Sequence, residues 1–372
     1  PAVVEAVAAQ LAVLNTNPRY LQEVHGGYVE TLLATFPAPL SVCYLTASGS
    51  EATELALRLA RARTGARHLL VLDAAYHGHT TTAIDISPYK HEGPGGEGAP
   101  PWVHKTPLPD VYRGPFRAPD PEAGLKYAAL VGQRLAALAR DGVRPAGYLT
   151  ETCPSVGGQL FLPPGYLPEV YRLVRAAGGV AIADEVQTGL GRIGTHFWAF
   201  QAHGVIPDIV VLGKPIANGY PMGAVVTTPG IASAFDNGME FFSTFGGSSA
   251  ACAAGLATLR VTQREGLMER ARETGACLLP LLRELASRHA LIGDIRGSGL
   301  FFGVELVADR GSRTPAPDEA AWVVNRLREL GVLTGTDGPH HNVIKIRGPM
   351  PLTCDDAAAI AAALDRALRE LA

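Results

Sequence analysis

Apolar positions in this chain follow two rhythms. Unbroken apolar runs at Ser41–Thr46, His68–Asp73, Ala146–Thr150, Val180–Asp184 and Val210–Leu212 read as buried strands. Between them the period lengthens. Ala52, Leu55, Ala56 and Leu59 recur at i, i+3, i+4, i+7, with Arg58 and Arg61 turned away, which predicts a helix directly after Ala47-Ser48-Gly49-Ser50. Helices are also expected over 2–14, ending at Asn15-Thr16-Asn17-Pro18, and over 165–177; the Gly/Pro-rich stretch 91–101 is expected to be a surface loop. Buried strands alternating with helices predict an α/β fold with a mostly parallel sheet covered on both faces. After Gly246-Gly247 the pattern changes. Helices over 249–263, 266–289, 318–330 and 355–371, with a strand from Leu300 to Leu306, predict a smaller α+β domain. The boundary is set near Gly255, giving a large domain over 1–255 and a C-terminal domain over 256–372.

Composition narrows the function. A chain of 372 residues has room for two domains, and 47% hydrophobic with 18% charged residues is ordinary for a globular enzyme. The net charge of −3, with no basic face, speaks against a nucleic-acid partner, and no apolar run is long enough to span a membrane. The five cysteines are scattered and lack a CxxC pair, which predicts a reducing, cytoplasmic setting rather than a disulfide framework or zinc site. The chain opens at Pro1 directly in a helical pattern, so it reads as a segment whose N-terminus lies elsewhere.

Two strand ends carry the candidate chemistry. One apolar run ends in Asp184 and another in Gly213-Lys214, thirty residues later, so both side chains fit on one sheet edge. A carboxylate facing a lysine across a pocket suits pyridoxal 5′-phosphate: the amine forms a Schiff base with the aldehyde, and the acid keeps the pyridine nitrogen protonated. Taken alone, a lysine at a strand end more often reaches out to solvent, and an acid there is often a cap. Ser48-Gly49-Ser50-Glu51 is a turn of small residues opening a helix, a place where backbone N–H groups can receive a phosphate. Tyr76-His77-Gly78 offers an aromatic to stack on a flat ring, and Ser243-Thr244-Phe245-Gly246-Gly247 a hydroxyl-bearing turn. His77 and His79 have no third partner at metal-ligand spacing, so no metal is expected.

In this order, and with Asp184-Glu185-Val186-Gln187-Thr188-Gly189-Leu190-Gly191-Arg192 followed by Leu212-Gly213-Lys214, nearly the whole chain resembles the class III (ornithine and 4-aminobutyrate type) aminotransferases of pyridoxal-phosphate fold type I. The resemblance implies that Lys214 binds the cofactor and that Asp184 pairs with its ring nitrogen. Val186 and Tyr76 sandwich the ring with His77 nearby, Gln187 lies by the ring hydroxyl, Glu151 supports it, and Gly49 and Ser50 hold the phosphate. It also implies a homodimer in which Thr244 completes the partner's phosphate site. An N-terminal stretch usual in the family is missing here.

The departures from the transaminase pattern set the function expected. Where many relatives carry a carboxylate-clamping arginine after the aromatic-X-Gly, this chain has His79, and in the C-terminal strand the matching position is Lys345. Arginine offers a planar fork and lysine a point charge, so the usual α-carboxylate clamp is weakened. Asn15-Thr16-Asn17-Pro18-Arg19-Tyr20, Ile86-Ser87-Pro88-Tyr89-Lys90, Val111-Tyr112-Arg113-Gly114 and Asp337-Gly338-Pro339-His340 resemble one subgroup, the ethanolamine-phosphate and phosphohydroxylysine phospho-lyases. Arg19, His79, Lys90, Arg113, Lys345 and Arg347 then become candidates to hold the substrate. The rival expectations are an ω-amine or alanine–glyoxylate-type transaminase and, should the native chain begin at Pro1, a poorly active cofactor-binding scaffold.

Overall fold

The computed structural model describes residues 1–371. Seven strands build the larger sheet: β1 (Val42–Thr46), β2 (His68–Leu72), β3 (Val103–Thr106), β4 (Pro145–Glu151), β5 (Val180–Asp184), β6 (Ile209–Leu212) and β7 (Gly223–Thr227), in the order β1-β7-β6-β5-β4-β2-β3. Strands β3, β2, β4, β5 and β6 are parallel to one another. Every residue of β4, β5 and β6 is buried, as expected of strands covered on both faces. Strand β7 runs antiparallel to both β6 and β1. Its sequence signal is a short apolar run behind a Gly/Pro-rich turn. The link from β6 is too short for the crossover that a parallel strand needs, so the chain reverses.

The helix Gly49–Thr64 starts and stops where its sequence dictates. Ser48 caps it by accepting from the Glu51 amide at 3.2 Å, Glu51 accepts from the Ala47 amide at 3.1 Å, and Gly65 ends it in the left-handed region at φ 64°. Leu55, Ala56 and Leu59 pack in the core with Ile182, Ile209 and Val211 of the sheet. The edge strand β3 and the helices Glu23–Leu33 and Ala123–Arg140 were not anticipated. Val103-His104-Lys105-Thr106 lacks an apolar run because one of its edges is free.

Five shorter strands form the second sheet: β8 (Ile292–Ser298), β9 (Phe301–Asp309), β10 (Thr314–Pro315), β11 (Gly335–Asp337) and β12 (Val343–Ile346), all antiparallel. With the helices Leu267–Arg288, Pro317–Glu329 and Cys354–Leu371 they enclose a separate core that includes Leu278, Leu282, Phe302, Ile344 and Leu364. The helix Ser249–Arg264 buries Ala251, Cys252, Ala254, Leu256 and Leu259 in the same core as Tyr28 and Trp198 of the larger lobe. Gly255 lies against the Tyr28 ring, where an added Cβ would sit 2.6 Å from the ring.

The cysteines depart from expectation. Cys277 and Cys354 form a disulfide joining the helices Leu267–Arg288 and Cys354–Leu371. They are 77 residues apart in sequence, and only the packing of these two helices makes them neighbours. Cys43, Cys153 and Cys252 are free. No helix among the described residues is long and apolar enough to cross a membrane.

Candidate active site

The C-terminal ends of three adjacent parallel strands set the site, the edge where open α/β sheets bind ligands. Glu151 ends β4 opposite Asp184, which ends β5, and Asp184 in turn pairs with Val211 of β6. Two residues past β6, Lys214 takes φ 40°, a left-handed conformation that few residues other than glycine adopt. Such strain persists where the surroundings fix it, and here it sits on the candidate nucleophile.

Asp184 is held from two sides. Its Oδ1 accepts from the Val186 amide at 3.0 Å, and its Oδ2 lies 2.8 Å from His77 Nδ1. Both side chains are buried. The His77 backbone is clamped as well: its amide donates to Ser87 Oγ at 2.9 Å and its carbonyl accepts from Thr53 Oγ1 at 2.7 Å. His77 Nε2 is buried without a partner. The His79 amide donates to Ser50 Oγ at 2.9 Å, which ties the Tyr76–His79 loop to the first turn of the helix Gly49–Thr64.

These groups enclose a cavity of about 140 Å³. Gly49, Ser50, Tyr76, His77, Glu151, Asp184, Val186, Gln187 and Lys214 all line it, together with Ser48 and Gly78. Burial, and next the charge of Asp184, push the Glu151 carboxyl up to about 8. Glu151 Oε2 accepts from the Ser155 amide at 3.0 Å, and Oε1 has no partner. The Lys214 amine opens onto the cavity. Crowding by protein lowers its pKa, Asp184 and Glu151 pull the other way, and Arg347 and Lys345 lower it further.

The remaining sequence-derived candidates scatter. Lys345 Nζ pairs with Asp337 Oδ1 at 3.1 Å, and Asp337 Oδ2 accepts from Gln159 Nε2 at 2.6 Å. Arg347 donates to Gln187 Oε1 and, at 3.5 Å, to Ser155 Oγ. Lys90 Nζ lies 5.9 Å from the Tyr76 ring centre and 5.2 Å from that of Tyr89. His79 is exposed at the rim, and Arg19 stacks over Phe242 at 5.0 Å. Arg113 is committed elsewhere: its guanidinium pairs with buried Glu305 and donates to the Arg313 carbonyl at 2.6 Å. Thr244 does not line this cavity; it shares a separate one of about 490 Å³ with Asn15, Thr16, Asn17 and Tyr220. Sequence reasoning missed Ser155, Gln159 and Asp337 as neighbours of the site. Only Asp337 had a signal, as part of the string Asp337-Gly338-Pro339-His340.

The residues present fit pyridoxal phosphate. Lys214 supplies an amine, and Asp184 a buried carboxylate to face a ring nitrogen. The first amides of the helix Gly49–Thr64 have no intrahelical acceptor and open on the same cavity. At Gly213 an added Cβ would sit 3.1 Å from Gly49 Cα, so glycine keeps the lysine turn close to the phosphate turn.

Comparison with known proteins gives the family. The model of the family "Aminotransferase class-III" matches residues 1–368. An alanine–glyoxylate aminotransferase 2-like protein of Drosophila melanogaster is 47% identical over 362 residues, covering 96% of this chain and 73% of that protein. Ethanolamine-phosphate phospho-lyase homolog 1 of Caenorhabditis elegans is 40% identical over 380 residues, covering 99% and 81%. The solved structure of a phospholyase from Arthrobacter in complex with phosphoethanolamine superposes with a TM-score of 0.94 at 39% identity, covering 100% of this chain and 87% of that one. The fold is that of the type I pyridoxal-phosphate enzymes, the cofactor is pyridoxal 5′-phosphate, and the chain belongs to the class III aminotransferases.

Proposed function

We propose that this enzyme is a phospho-lyase that releases phosphate and ammonia from ethanolamine phosphate or a related phosphorylated amine. The observation that carries this reading is the likeness, over the whole chain, to a phospholyase solved with phosphoethanolamine. The residues beside the cavity support it, with Lys345 where the family resemblance leads one to expect an arginine fork and a guanidinium at Arg347 on the lining residue Gln187.

Bound pyridoxal phosphate supplies an aldehyde for the substrate nitrogen and a ring that withdraws electrons from the adjacent carbon. Lys214 Nζ, with a lowered pKa, takes the proton from the carbon bearing nitrogen. Asp184, fixed by His77 and the Val186 amide, keeps negative charge opposite the ring nitrogen while charge develops. The bond from the neighbouring carbon to the phosphate oxygen then breaks, and phosphate leaves with the electron pair. Addition of water completes release of an aldehyde and ammonia, so no keto acid is needed.

A transaminase is the second reading, favoured by the Drosophila relative named as alanine–glyoxylate aminotransferase 2-like. Both reactions use the same cofactor contacts and differ in the leaving group. Incubation with ethanolamine phosphate, without keto acid, separates them by assay of free phosphate. Absence of phosphate, together with amine transfer to pyruvate or glyoxylate, rejects the lyase. A homodimer belongs to this reading, since Thr244 is exposed, does not line its own chain's cavity and is free to serve a second copy. The cytoplasmic setting expected from the cysteines loses part of its support to the Cys277–Cys354 bridge.

A further inference from the structure

Val111-Tyr112-Arg113-Gly114 is one of the strings that resemble phospho-lyases, yet folding keeps Arg113 out of the cofactor cavity lining. Its loop belongs to the larger lobe, between β3 and the helix Ala123–Arg140. Its guanidinium belongs to the smaller lobe: Nε donates to Glu305 of β9, and Nη1 donates to the Arg313 carbonyl at 2.6 Å. Arg296 crosses the same seam the other way. From β8 it donates through Nη1 to Glu305 Oε2 at 2.7 Å, and through Nε to the Gly158 carbonyl of the larger lobe at 2.8 Å. Glu305 thus gives one oxygen to each guanidinium, and its side chain is 1% exposed.

Around this pair the two backbones meet closely. Gly303 stands two residues before Glu305, on the same face of β9. A Cβ there would sit 2.9 Å from Gln159 Cβ and 3.1 Å from the Gly158 carbonyl oxygen. The Gly338 amide donates to the Val156 carbonyl at 2.8 Å. The seam leads to the site from both sides. The turn that receives Arg296 begins at Ser155, whose amide donates to Glu151 Oε2 at 3.0 Å, and Glu151 lines the cavity. In the smaller lobe, Glu305 pairs in register with Val343 of β12, the strand that leads into Arg347 and its contact with Gln187.

A buried ion pair adds little stability over apolar side chains of the same size, because desolvation offsets its Coulomb gain. What it supplies here is geometry. Apolar surfaces can slide past one another, whereas a carboxylate shared by two guanidiniums from opposite directions fixes one arrangement of the lobes. We propose that the Arg113–Glu305 pair is a latch between the lobes and that Arg113 is a positioning residue. It holds β12 and the 155–159 turn in place around the cavity without touching cofactor or substrate. The latch serves a lyase and a transaminase alike.

The test uses holoenzyme of the wild type, Arg113→Met, Arg113→Lys, Glu305→Gln, the double variant Arg113→Met/Glu305→Gln, and Arg326→Met. The last breaks a pair with Glu370 that stays inside the smaller lobe. Kinetics are read with whichever amine the wild type turns over, ethanolamine phosphate or an amine donor with pyruvate, so failure of the lyase reading leaves the test intact. Arg113→Met is expected to lower kcat/KM roughly 10- to 100-fold, the scale of a misplaced group, while the cofactor's absorbance and dissociation constant stay as in the wild type. Hydrogen exchange by mass spectrometry is expected to quicken at 155–160 and 335–346 and to stay unchanged in β5 and β6. Arg113→Lys recovers part of the rate, because its single amine cannot reproduce both bonds of the fork. The double variant loses less than the product of the two single losses, since both remove one contact. Arg326→Met matches the wild type. Should Arg113→Met fail to fold, Arg113→Lys carries the same comparison, with a smaller loss and the same exchange pattern. Wild-type kcat/KM in the Arg113 variants, independent losses in the double variant, an equal loss in Arg326→Met, or faster exchange and weaker cofactor binding throughout the chain overturns the latch.

Discussion

The floor of the cavity and its C-terminal wall are built on different terms. The floor comes from the parallel strands β4, β5 and β6, and each acid on it is tied to backbone amides: Glu151 to Ser155 and Asp184 to Val186. The wall stands outside the residues that line the cavity and comes from the antiparallel pair β11 and β12; its polar groups are tied to other side chains, Lys345 to Asp337 and Arg347, just past β12, to Gln187. Backbone ties fix a charge for chemistry common to every substrate. Side-chain ties are exchangeable, and a substrate group can take one over. Under the proposed function, chemistry falls to the floor and substrate choice to the wall.

Substitutions that break this division are ranked by size. Lys214→Ala removes the proposed base, and turnover is expected to fall by about 10⁴-fold or more, with no borohydride-reducible adduct in the intact protein by mass spectrometry. Asp184→Asn keeps the shape of the floor and loses its charge. We expect about a 10²- to 10³-fold loss in kcat for anionic and neutral amines alike, which separates it from any wall variant in parallel kinetics. A floor variant that altered only one substrate class would contradict the division.

The wall is tethered in a way the floor is not. Seven residues after Arg347 the chain reaches Cys354, bridged to Cys277. Cys277→Ser opens this loop and is expected to cost about 2–4 kcal/mol in denaturant unfolding of the C-terminal lobe, with a smaller change in the lobe that holds Lys214. Equal loss in both lobes would show that they unfold as one unit.

The smallest expected effect is a pH signature of the floor. The Glu151 carboxyl moves from an ordinary 4.5 to about 8 on folding, so the folded state binds its proton more tightly than the unfolded chain. The stability that Glu151 contributes to the cofactor-free protein is therefore lost as pH rises from about 5 to 8. Glu151→Gln is neutral at every pH and should flatten this decline, by a few degrees in the thermal midpoint at pH 8. Parallel melting curves for wild type and variant across this window would remove Glu151 from the account.

Much of the floor was legible in the sequence because its signals are local. A buried parallel strand writes itself as an apolar run, and the residue ending it is then at the ligand-binding edge; Asp184 and Lys214 were read in this way. The Ser48–Glu51 cap was legible because capping uses residues three apart. The wall was less so. Lys345 stood out by resemblance, at the position of a carboxylate-clamping arginine, and Arg347 and Arg113 only as basic residues in strings that resemble relatives; folding gives Arg113 to Glu305, a partner 192 residues away.

The sequence by itself determined the element pattern, the acid and the lysine, and the glycine-lined turn, because propensity, burial period and capping act over a few residues. Tertiary structure alone decided which side chains meet: His77 with Asp184, Asp337 with Lys345, Cys277 with Cys354, and Arg347 with Gln187. Coulomb energy and desolvation depend on distance in space, and distance along the chain carries almost no information about it.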